Sequence, residues 1–377
     1  MQKKKILFVG HDANRAGAQI LLLRFLKLLK KDNQYDFSIL LGNTGELLSE
    51  YKAIANTYLW QDQFKKKKKI DTILLFKTSD TLLEVLENEK FDLIFSNTIA
   101  NGDILEALSV LNCPVVTYVH ELGLGFEMYT SKKSLNSALA LSQSFIACAG
   151  AVKEHLVEIK GIDASKITVV SSLLPENALH FTPDLSNISE LKKTSAIPQN
   201  ATIVGGMGTL DYRKGIDVFL QIAYQLRDKN CFFVWVGGDK SQIEYQNLQS
   251  DILKMELKNI KIIETVKNPL DYLSMFDIFL LTSREDPYPL VVMEAALLKK
   301  PIICFDKAGG SKELVGEDAG FVVPYLDVIK ASQAIEKLCN YAMMPATMGE
   351  KGHKKVLAKH TEEKCFEEFL AALSSCF

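Results

Sequence analysis

Short hydrophobic runs alternate with amphipathic stretches along most of the chain. In the first half, the candidate strands are residues 5–10, 37–41, 92–96, 114–119, 144–148 and 167–170. The stretches 18–30 and 72–88 carry apolar residues at helical spacing. This alternation predicts βαβ units, and hence a parallel sheet with helices on both faces.

The alternation stops at about residues 175–200, where prolines and asparagines occur without an apolar period. Such a segment is typical of an interdomain linker. Further candidate strands then follow at residues 201–206, 231–236, 259–263, 277–281, 301–305 and 320–323. We therefore predict an α/β protein with a first domain at 1–180, a linker at 181–200 and a second domain at 201–360. The segment 361–377 has the pattern of an amphipathic helix.

Composition narrows the class of protein. A chain of 377 residues is long enough for two domains, and its net charge of −2 gives no field that favours nucleic acid. No uninterrupted apolar segment approaches the ~20 residues of a spanning helix. The seven scattered cysteines, without a C-x-x-C pair, are typical of reduced thiols. We expect a cytoplasmic protein that is at most peripheral to a membrane and has no nucleic-acid partner.

One strong charge run, five consecutive lysines from Lys65 to Lys69, has two interpretations. Such runs are usually solvated loops. Beside an amphipathic stretch, the run could also hold an anionic membrane surface, at the inner face of the cytoplasmic membrane. The sequence leaves both interpretations open.

Residues 282–296 carry the most informative pattern. A buried strand at 277–281 is followed by a polar turn with Arg284, Glu285 and Asp286, and then by an apolar helix that carries Glu294. In an open α/β sheet, ligands bind at the carboxyl ends of the strands. Carboxylates placed there are suited to accept hydrogen bonds from hydroxyl-rich ligands such as sugars and riboses.

This segment resembles the acidic-x7-Glu motif of the family 4 retaining glycosyltransferases, the group 1 class with the GT-B fold. The motif usually begins with Glu, where this chain has Asp286. The resemblance implies two Rossmann-like, doubly wound domains that face a central cleft, with the last helix packed back on the first. It implies a nucleotide-diphospho-sugar donor (UDP or GDP), a saccharide or lipid-linked acceptor, and no separate cofactor. The expected role is cell-surface polysaccharide or glycolipid synthesis.

The same resemblance assigns roles within the motif. Asp286 would accept hydrogen bonds from hydroxyls of the donor sugar, and Glu294 would bind the ribose hydroxyls. Glu285, Leu290 and Val291 would also line the donor site.

A second segment, 205–217, supplies cations. A strand runs into a loop that contains Gly208, and then Arg213 and Lys214 open a helix. An arginine fork and a lysine charge beside backbone N–H groups can neutralise a diphosphate leaving group. The chain has no Asp-x-Asp pair, so we expect no metal requirement. The alternatives are a glycine turn before a solvated basic helix and, less favoured, a dinucleotide-binding loop whose third glycine is missing.

Two further loops resemble the family. Gly309 and Gly310 begin a G-G-x-x-E segment that ends at Glu313, and they are expected near the donor phosphates. Glu313 is expected to brace this loop. Gly237 follows another strand, and the resemblance implies that this loop lies beside the nucleotide base.

In the first half, Gly17 and Ala18 follow the first strand, and His120 follows the strand 114–119. The resemblance places the Gly17 loop by the donor phosphates and His120 by the transferred sugar. Taken alone, the first is an ordinary βα loop, and the second could be a structural histidine.

Two other functions stay open. Another GT-B sugar-nucleotide enzyme, an epimerase or phosphorylase, would share the two domains and turn over donor without an acceptor. A non-catalytic nucleotide-sugar-binding protein is favoured only by the presence of Asp286 where the motif usually has Glu.

Overall fold

The chain divides into two compact units in a computed structural model that describes residues 3–61, 81–174 and 176–377. The first unit contains residues Met1–Ser171 and Cys365–Phe377, and the second contains Ser172–Lys364. The run from Lys65 to Lys69 and the first half of the predicted helix 72–88 lie outside the described residues.

The first unit is built on a parallel sheet. Within the described residues this sheet has seven strands in the order β3-β2-β1-β4-β5-β6-β7. The strands are β1 (Lys5–Gly10), β2 (Asp36–Leu41), β3 (Thr57–Leu59), β4 (Leu93–Ser96), β5 (Val115–Val119), β6 (Ser144–Ala147) and β7 (Ile167–Val169). The described helices that connect them are α1 (Gly17–Asp32), α2 (Leu48–Ile54), α3 (Leu82–Glu89), α4 (Gly102–Leu108), α5 (Gly123–Tyr129), α6 (Lys132–Leu141) and α7 (Gly150–Glu158).

The second unit repeats this plan. Its described strands form a parallel sheet in the order β10-β9-β8-β11-β12-β13. They are β8 (Thr202–Met207), β9 (Cys231–Val236), β10 (Ile260–Ile263), β11 (Ile278–Leu281), β12 (Ile302–Phe305) and β13 (Gly320–Val323). The helices are α8 (Glu176–Leu179), α9 (Leu185–Thr194), α10 (Ile216–Gln225), α11 (Ile243–Lys254), α12 (Pro269–Ser274), α13 (Leu290–Leu297), α14 (Ser311–Val315), α15 (Val328–Asn340) and α16 (Met344–Lys359). A last helix, α17 (Glu362–Ser374), begins in the second unit and continues in the first.

All twelve predicted strands are present, and the predicted fold of two Rossmann-like parallel-sheet domains is confirmed. Hydrophobic runs identified these strands because parallel strands are covered on both faces; every residue of β5, for example, is buried. The short edge strand β3 was not predicted. Its three residues are only partly buried, so they produce no hydrophobic run.

The segment 181–200, predicted as a linker, contains the helix α9 and is grouped with the second unit. Asp184 caps this helix by accepting the backbone N–H groups of Ser186 and Asn187. Ile188 and Leu191 pack on the second unit's core. Leu185, Ile188 and Leu191 recur three residues apart, so the helix carries a short apolar period, but its other residues are polar and Leu185 is 80% exposed.

The end of α17 packs on the core of the first unit. The Phe369 ring is fully buried and stacks on Phe25, with ring centroids 4.4 Å apart. It also meets Phe95 edge-on at 5.6 Å. Burial of these rings fixes the last helix to the first unit.

Two general findings concern the described residues. None of the seven cysteines forms a disulfide, and Cys339 is exposed rather than in the core. Within the described ranges, no helix is both long enough and apolar enough to span a bilayer.

Phe369→Ala should destabilise the first unit by about 3–5 kcal/mol, because it leaves a cavity beside Phe25. Denaturant unfolding should be followed through Trp60, in a Trp235→Phe background, because the two tryptophans lie in different units. Phe377→Ala is the control, since this ring is 45% exposed and its loss should change stability by less than about 1 kcal/mol. Equal effects of both changes would contradict the packing described for α17.

Candidate active site

A tight turn after β8 carries Arg213 and Lys214. Residues Tyr212–Lys214 form a single 3-10 turn that ends before α10 begins. The sequence predicted that the two cations open the helix, but α10 begins only at Ile216, and both cations lie in the turn before it. The reason is Asp211, whose carboxylate accepts the Lys214 backbone N–H at 2.8 Å and caps the turn.

Gly215 brings this turn against the end of β11. Its φ of +69° is in the left-handed region, and a Cβ there would lie 2.1 Å from the Thr282 carbonyl oxygen. The Thr282 hydroxyl in turn donates to the Lys214 carbonyl at 3.2 Å. Only glycine permits this close approach.

Arg213 and Lys214, hereafter the cation pair, converge on Asp286. Lys214 Nζ donates to Asp286 Oδ2 at 2.5 Å, and Arg213 Nη1 lies 3.8 Å from Asp286 Oδ1. The Lys214 side chain is 14% exposed, that of Arg213 is 16% exposed and that of Asp286 is 8% exposed. Arg213 also donates to the carbonyl oxygen of Glu285 at 3.0 Å. Three of the predicted residues are thus brought together in one nearly buried cluster.

The Asp286 carboxylate is already engaged within the protein. Besides Lys214, it accepts a hydrogen bond from the hydroxyl of Ser283 at 3.3 Å. The cluster therefore holds two cations at the carboxyl ends of β8 and β11, the edge at which ligands bind in open α/β sheets.

Arg284, to which the sequence assigned no role, holds the turn that carries the cation pair through contacts with Tyr212 and Asp217. Its guanidinium makes a two-pronged pair with Asp217 at 2.8 and 2.7 Å, and it lies 3.9 Å above the Tyr212 ring. It also donates to the Tyr212 carbonyl at 2.8 Å. The hydrogen bonds from Arg284 lower the pKa of Asp217, and this pairing raises the pKa of Arg284.

The loop after β12 contains the predicted Gly309 and Gly310 and lies against Asp286. The Asp286 N–H donates to the Ala308 carbonyl at 2.6 Å, and the Gly310 N–H donates to Pro287 at 2.9 Å. At Gly309, where φ is +134°, a Cβ would lie 1.9 Å from the Asp286 carbonyl oxygen. This glycine is therefore required by the contact between the two loops.

The next residue, Ser311, was not predicted as a site residue. It is only 4% exposed, and its hydroxyl has no hydrogen-bond partner among the described residues. An unsatisfied buried hydroxyl costs about 1–3 kcal/mol. Glu313, expected to brace this loop, lies 3.9 Å from Lys359.

The remaining predicted residues of the second unit lie at the ends of neighbouring elements. Helix α13 begins at Leu290 without a side-chain cap, and Glu294 is partly exposed one turn later. The N–H groups of Leu290 and Val291 make no hydrogen bond within the described part of the chain. Gly208 and Gly237 follow β8 and β9, and the indole N–H of Trp235 donates to the Gly208 carbonyl at 3.0 Å.

The first unit contains a separate cavity of about 360 Å³, hereafter the first-unit cavity. It lies at the carboxyl ends of β1, β4 and β5. Its lining residues are His11, Asp12, Ala16, Ala18, Gln19, Asn97, Thr98, Ala100, His120, Glu121 and Tyr129.

His120 lies in this cavity, as part of a hydrogen-bonded network. Its Nε2 is 3.1 Å from Asn97 Oδ1, and its ring centroid is 4.1 Å from that of Tyr118. Although the residue keeps some exposure to the cavity, the surrounding protein desolvates the ring and lowers its pKa to about 3. His120 is therefore neutral near pH 7.

Two carboxyl groups of the cavity have opposite pKa shifts. Burial raises the pKa of Glu121, despite hydrogen bonds to its carboxylate from the Thr98 hydroxyl and the His120 N–H. Burial also acts to raise the pKa of Asp12, but hydrogen bonds from the Asn14 N–H, His11 and Gln19 outweigh it and lower this pKa.

Gly17 begins α1 but is exposed, and a Cβ there would meet nothing within 4 Å. The chain itself therefore does not require glycine at this position. Ala18 lines the cavity, and its carbonyl accepts a hydrogen bond from Asn97 Nδ2 at 3.0 Å.

Sequence reasoning missed Asn97, Thr98 and Glu121 and did not assign Asp12. The signal that could have found Asn97 and Thr98 is their position directly after the strand 92–96. The rule that ligands bind at the carboxyl ends of parallel strands applies to every strand of the sheet. The same rule applies to Glu121, which directly follows His120 after the strand 114–119.

Two family models match the chain. The model of "Glycosyl transferases group 1" matches residues 187–355, and that of "Glycosyltransferase Family 4" matches residues 17–172. The two matches fall in the second and first units, respectively.

Similar curated proteins are bacterial glycosyltransferases. The chain is 23% identical over 248 residues to the capsular polysaccharide biosynthesis glycosyltransferase CapM of Staphylococcus aureus, covering 65% of this chain and 64% of CapM. It is 23% identical over 342 residues to the UDP-Gal:alpha-D-GlcNAc-diphosphoundecaprenol alpha-1,3-galactosyltransferase of Escherichia coli, covering 86% and 85% of the two chains. For several other curated relatives, the matched part spans about half of their length.

A similar solved structure is that of HepE from Anabaena, in complex with UDP. It superposes with a TM-score of 0.80 at 20% sequence identity, covering 98% of this chain and 100% of HepE. At this identity the likeness shows the fold, and it confirms the predicted GT-B class.

Arg284→Lys should loosen the turn that carries the cation pair, because a lysine cannot reproduce the two-pronged contact with Asp217. We expect a loss of about 1–2 kcal/mol in stability of the second unit. It should be measured by denaturant unfolding followed through Trp235, in a Trp60→Phe background.

Arg227→Lys is the matched control. Arg227 also lies over a tyrosine ring, Tyr224, and donates to that residue's carbonyl, but it is 43% exposed and lacks a two-pronged carboxylate partner. Its replacement should have little effect. A loss as large as that of Arg284→Lys would show that stacking, and not the pair with Asp217, holds the turn.

Proposed function

Because the chain belongs to the group 1 (family 4) glycosyltransferases, we propose that it transfers a sugar from a nucleotide-diphospho-sugar to an acceptor hydroxyl. In this proposal, the anomeric configuration is retained, no metal is required, and the product belongs to a cell-surface polysaccharide or glycolipid.

The observation that carries the proposal is the cation pair, two nearly buried cations that share one carboxylate at the carboxyl ends of β8 and β11. When the bond to the transferred sugar breaks, negative charge develops on the nucleotide diphosphate. Arg213 and Lys214 would stabilise that charge in a site of low dielectric, where fixed cations act strongly. Two such cations can supply this stabilisation without a metal.

Asp286 would act in this site mainly as a positioning residue. Its carboxylate is nearly buried and is already bonded to Lys214 and Ser283. We therefore assign it the orientation of the cation pair, in place of the expected grip on donor hydroxyls. Removal of one partner of such a buried pair typically costs about 3–5 kcal/mol.

Neighbouring groups would complete the donor site. The buried hydroxyl of Ser311, next to Gly309 and Gly310, would find its hydrogen-bond partner in a phosphate oxygen. The N–H groups of Leu290 and Val291, at the positive end of α13, would add anion-binding donors. Glu294, one turn along the helix, would accept hydrogen bonds from the ribose hydroxyls.

The loops that contain Gly208 and Gly237 would lie beside the nucleotide base. The backbone carbonyl of Glu285 accepts a hydrogen bond from Arg213, and we propose that this residue also contacts the nucleotide-sugar donor.

In the first unit, we propose that the cavity at His120 and Ala18 binds sugar hydroxyls, and that the exposed Gly17 backbone approaches the ligand. The bond from the sugar carbon to the leaving phosphate oxygen breaks while the bond to the acceptor oxygen forms. The proton of the acceptor hydroxyl passes to the leaving phosphate oxygen. Retention without a covalent intermediate fits the family, and no side chain of the described sites stands out as a nucleophile.

The donor is proposed to be a UDP-sugar. This choice is supported by a relative whose name specifies UDP-Gal and by a similar structure in complex with UDP. The acceptor is proposed to be a saccharide or a lipid-linked saccharide. The charge of the run from Lys65 to Lys69 and the scattered cysteines support a cytoplasmic location at an anionic membrane surface.

Calorimetry with UDP, GDP, ADP and their hexose conjugates, with and without EDTA, tests the donor assignment. We expect one nucleotide series, that of UDP, to bind with an affinity that EDTA leaves unchanged, because the cation pair meets the diphosphate directly. Binding that EDTA abolishes would contradict metal independence, and binding of no nucleotide would contradict the proposed function. Hydrolysis or epimerisation of donor without acceptor would favour another GT-B enzyme.

A further inference from the structure

We infer that Asn97 fixes His120 in the tautomer with its proton on Nε2, so that Nδ1 is a hydrogen-bond acceptor for a hydroxyl of a neutral sugar. The ligand part of this inference rests on the proposed function, whereas the tautomer does not.

The orientation of the Asn97 amide is set by the backbone. Asn97 Nδ2 lies 3.0 Å from the Ala18 carbonyl oxygen, which can only accept a hydrogen bond. The nitrogen of the amide must therefore face Ala18, and the oxygen must face the other way, toward His120.

The imidazole proton follows from that orientation. Asn97 Oδ1 lies 3.1 Å from His120 Nε2. Because an amide oxygen can only accept, His120 must donate through Nε2–H. In a neutral imidazole, the other nitrogen, Nδ1, then carries a lone pair and no proton.

The surroundings keep the ring neutral. The Tyr118 ring lies against it, with centroids 4.1 Å apart and an interplanar angle of 46°, and burial lowers the pKa of His120 to about 3. The titratable groups that share the cavity with the ring are Glu121 from the same loop, Asp12 and His11 from the loop after β1, and Tyr129 from α5. Both carboxylates are hydrogen-bonded to other groups, Glu121 to Thr98 and Asp12 to Asn14, His11 and Gln19.

The Nδ1 atom of His120 makes no hydrogen bond to any described residue, and the ring lines the first-unit cavity. The residues that line this cavity include two carboxylic acids and no lysine or arginine. An anionic group in the cavity would meet no cation from its lining, whereas a hydroxyl can donate to the Nδ1 lone pair. The chemistry of the lining therefore favours a neutral polyol over a sugar phosphate or a uronic acid.

Nuclear magnetic resonance of the full chain with ¹⁵N-labelled histidine tests the tautomer without any ligand. His120→Gln identifies the signals of this ring among the six histidines. We expect a protonated, pyrrole-type Nε2 and an unprotonated, pyridine-type Nδ1 from pH 5 to pH 8. A proton on Nδ1, or a charged ring at pH 7, would overturn the inference.

Three variants separate positioning from general stability. Asn97→Ala should release the tautomer, so that Nδ1–H becomes populated. Asn97→Asp keeps an acceptor oxygen and should restore Nε2–H, with a raised pKa for the ring. Asn101→Ala is the matched control. It also removes buried hydrogen bonds, to Val9 and Ser96, but neither of these involves His120, so the tautomer should be unchanged.

Saturation-transfer measurements with methyl glucoside, methyl galactoside, glucuronate and glucose 1-phosphate test the ligand class. We expect a neutral glycoside to bind and the two anions not to, with affinity about tenfold weaker in Asn97→Ala and unchanged in Asn101→Ala. Binding of the anions as strong as that of the glycosides, or none by either glycoside, would overturn the ligand assignment. Because no nucleotide is involved, this outcome is independent of the calorimetry that tests the donor.

Discussion

The nearly buried ion pair between Lys214 and Asp286 is the interaction on which the second unit's site depends. It joins the turn after β8 to the loop after β11, and the loop after β12 lies against the same Asp286. Gly215 and Gly309 are required where these backbones meet, since a side chain at either position would overlap a carbonyl oxygen. Burial of such a pair contributes little net stability, but loss of one partner costs several kcal/mol. Its value is therefore the fixed position of Arg213 and Lys214.

The two units use one topological rule for different chemistry. In each, polar or charged residues follow parallel strands at their carboxyl ends, the edge at which ligands bind in open α/β sheets. The second unit places two cations there, whereas the lining of the first-unit cavity has carboxylates, amides and a neutral imidazole. A nucleotide diphosphate requires positive charge, and a sugar requires hydrogen-bond partners. In the proposed glycosyl transfer, the second unit would therefore bind the diphosphate and the first-unit cavity would bind sugar hydroxyls.

Much of this could be predicted from the sequence, because a parallel strand covered on both faces is a continuous hydrophobic run. The positions of the loops at the strand ends, including the one with Asp286, followed from the same pattern, whereas Lys214, Gly309 and His120 were singled out mainly through the resemblance to the family. The pairing of Lys214 with Asp286 could not be predicted, since the two are 72 residues apart and each alone suits a ligand. Asn97 has an ordinary polar side chain, and its role depends on the position of Ala18, which only the structure shows.

Calorimetry with UDP and uridine tests most directly whether the cation pair binds the diphosphate, using wild type and a Lys214→Met, Asp286→Asn double variant. The double change removes the cation without leaving its partner as a buried unpaired charge. Lys240→Met is the control, since this lysine pairs with Glu264 at the surface. We expect the double variant to lose roughly tenfold or more in affinity for UDP and none for uridine. Unchanged affinity for UDP, or an equal loss for uridine, would contradict the cation pair as the diphosphate site.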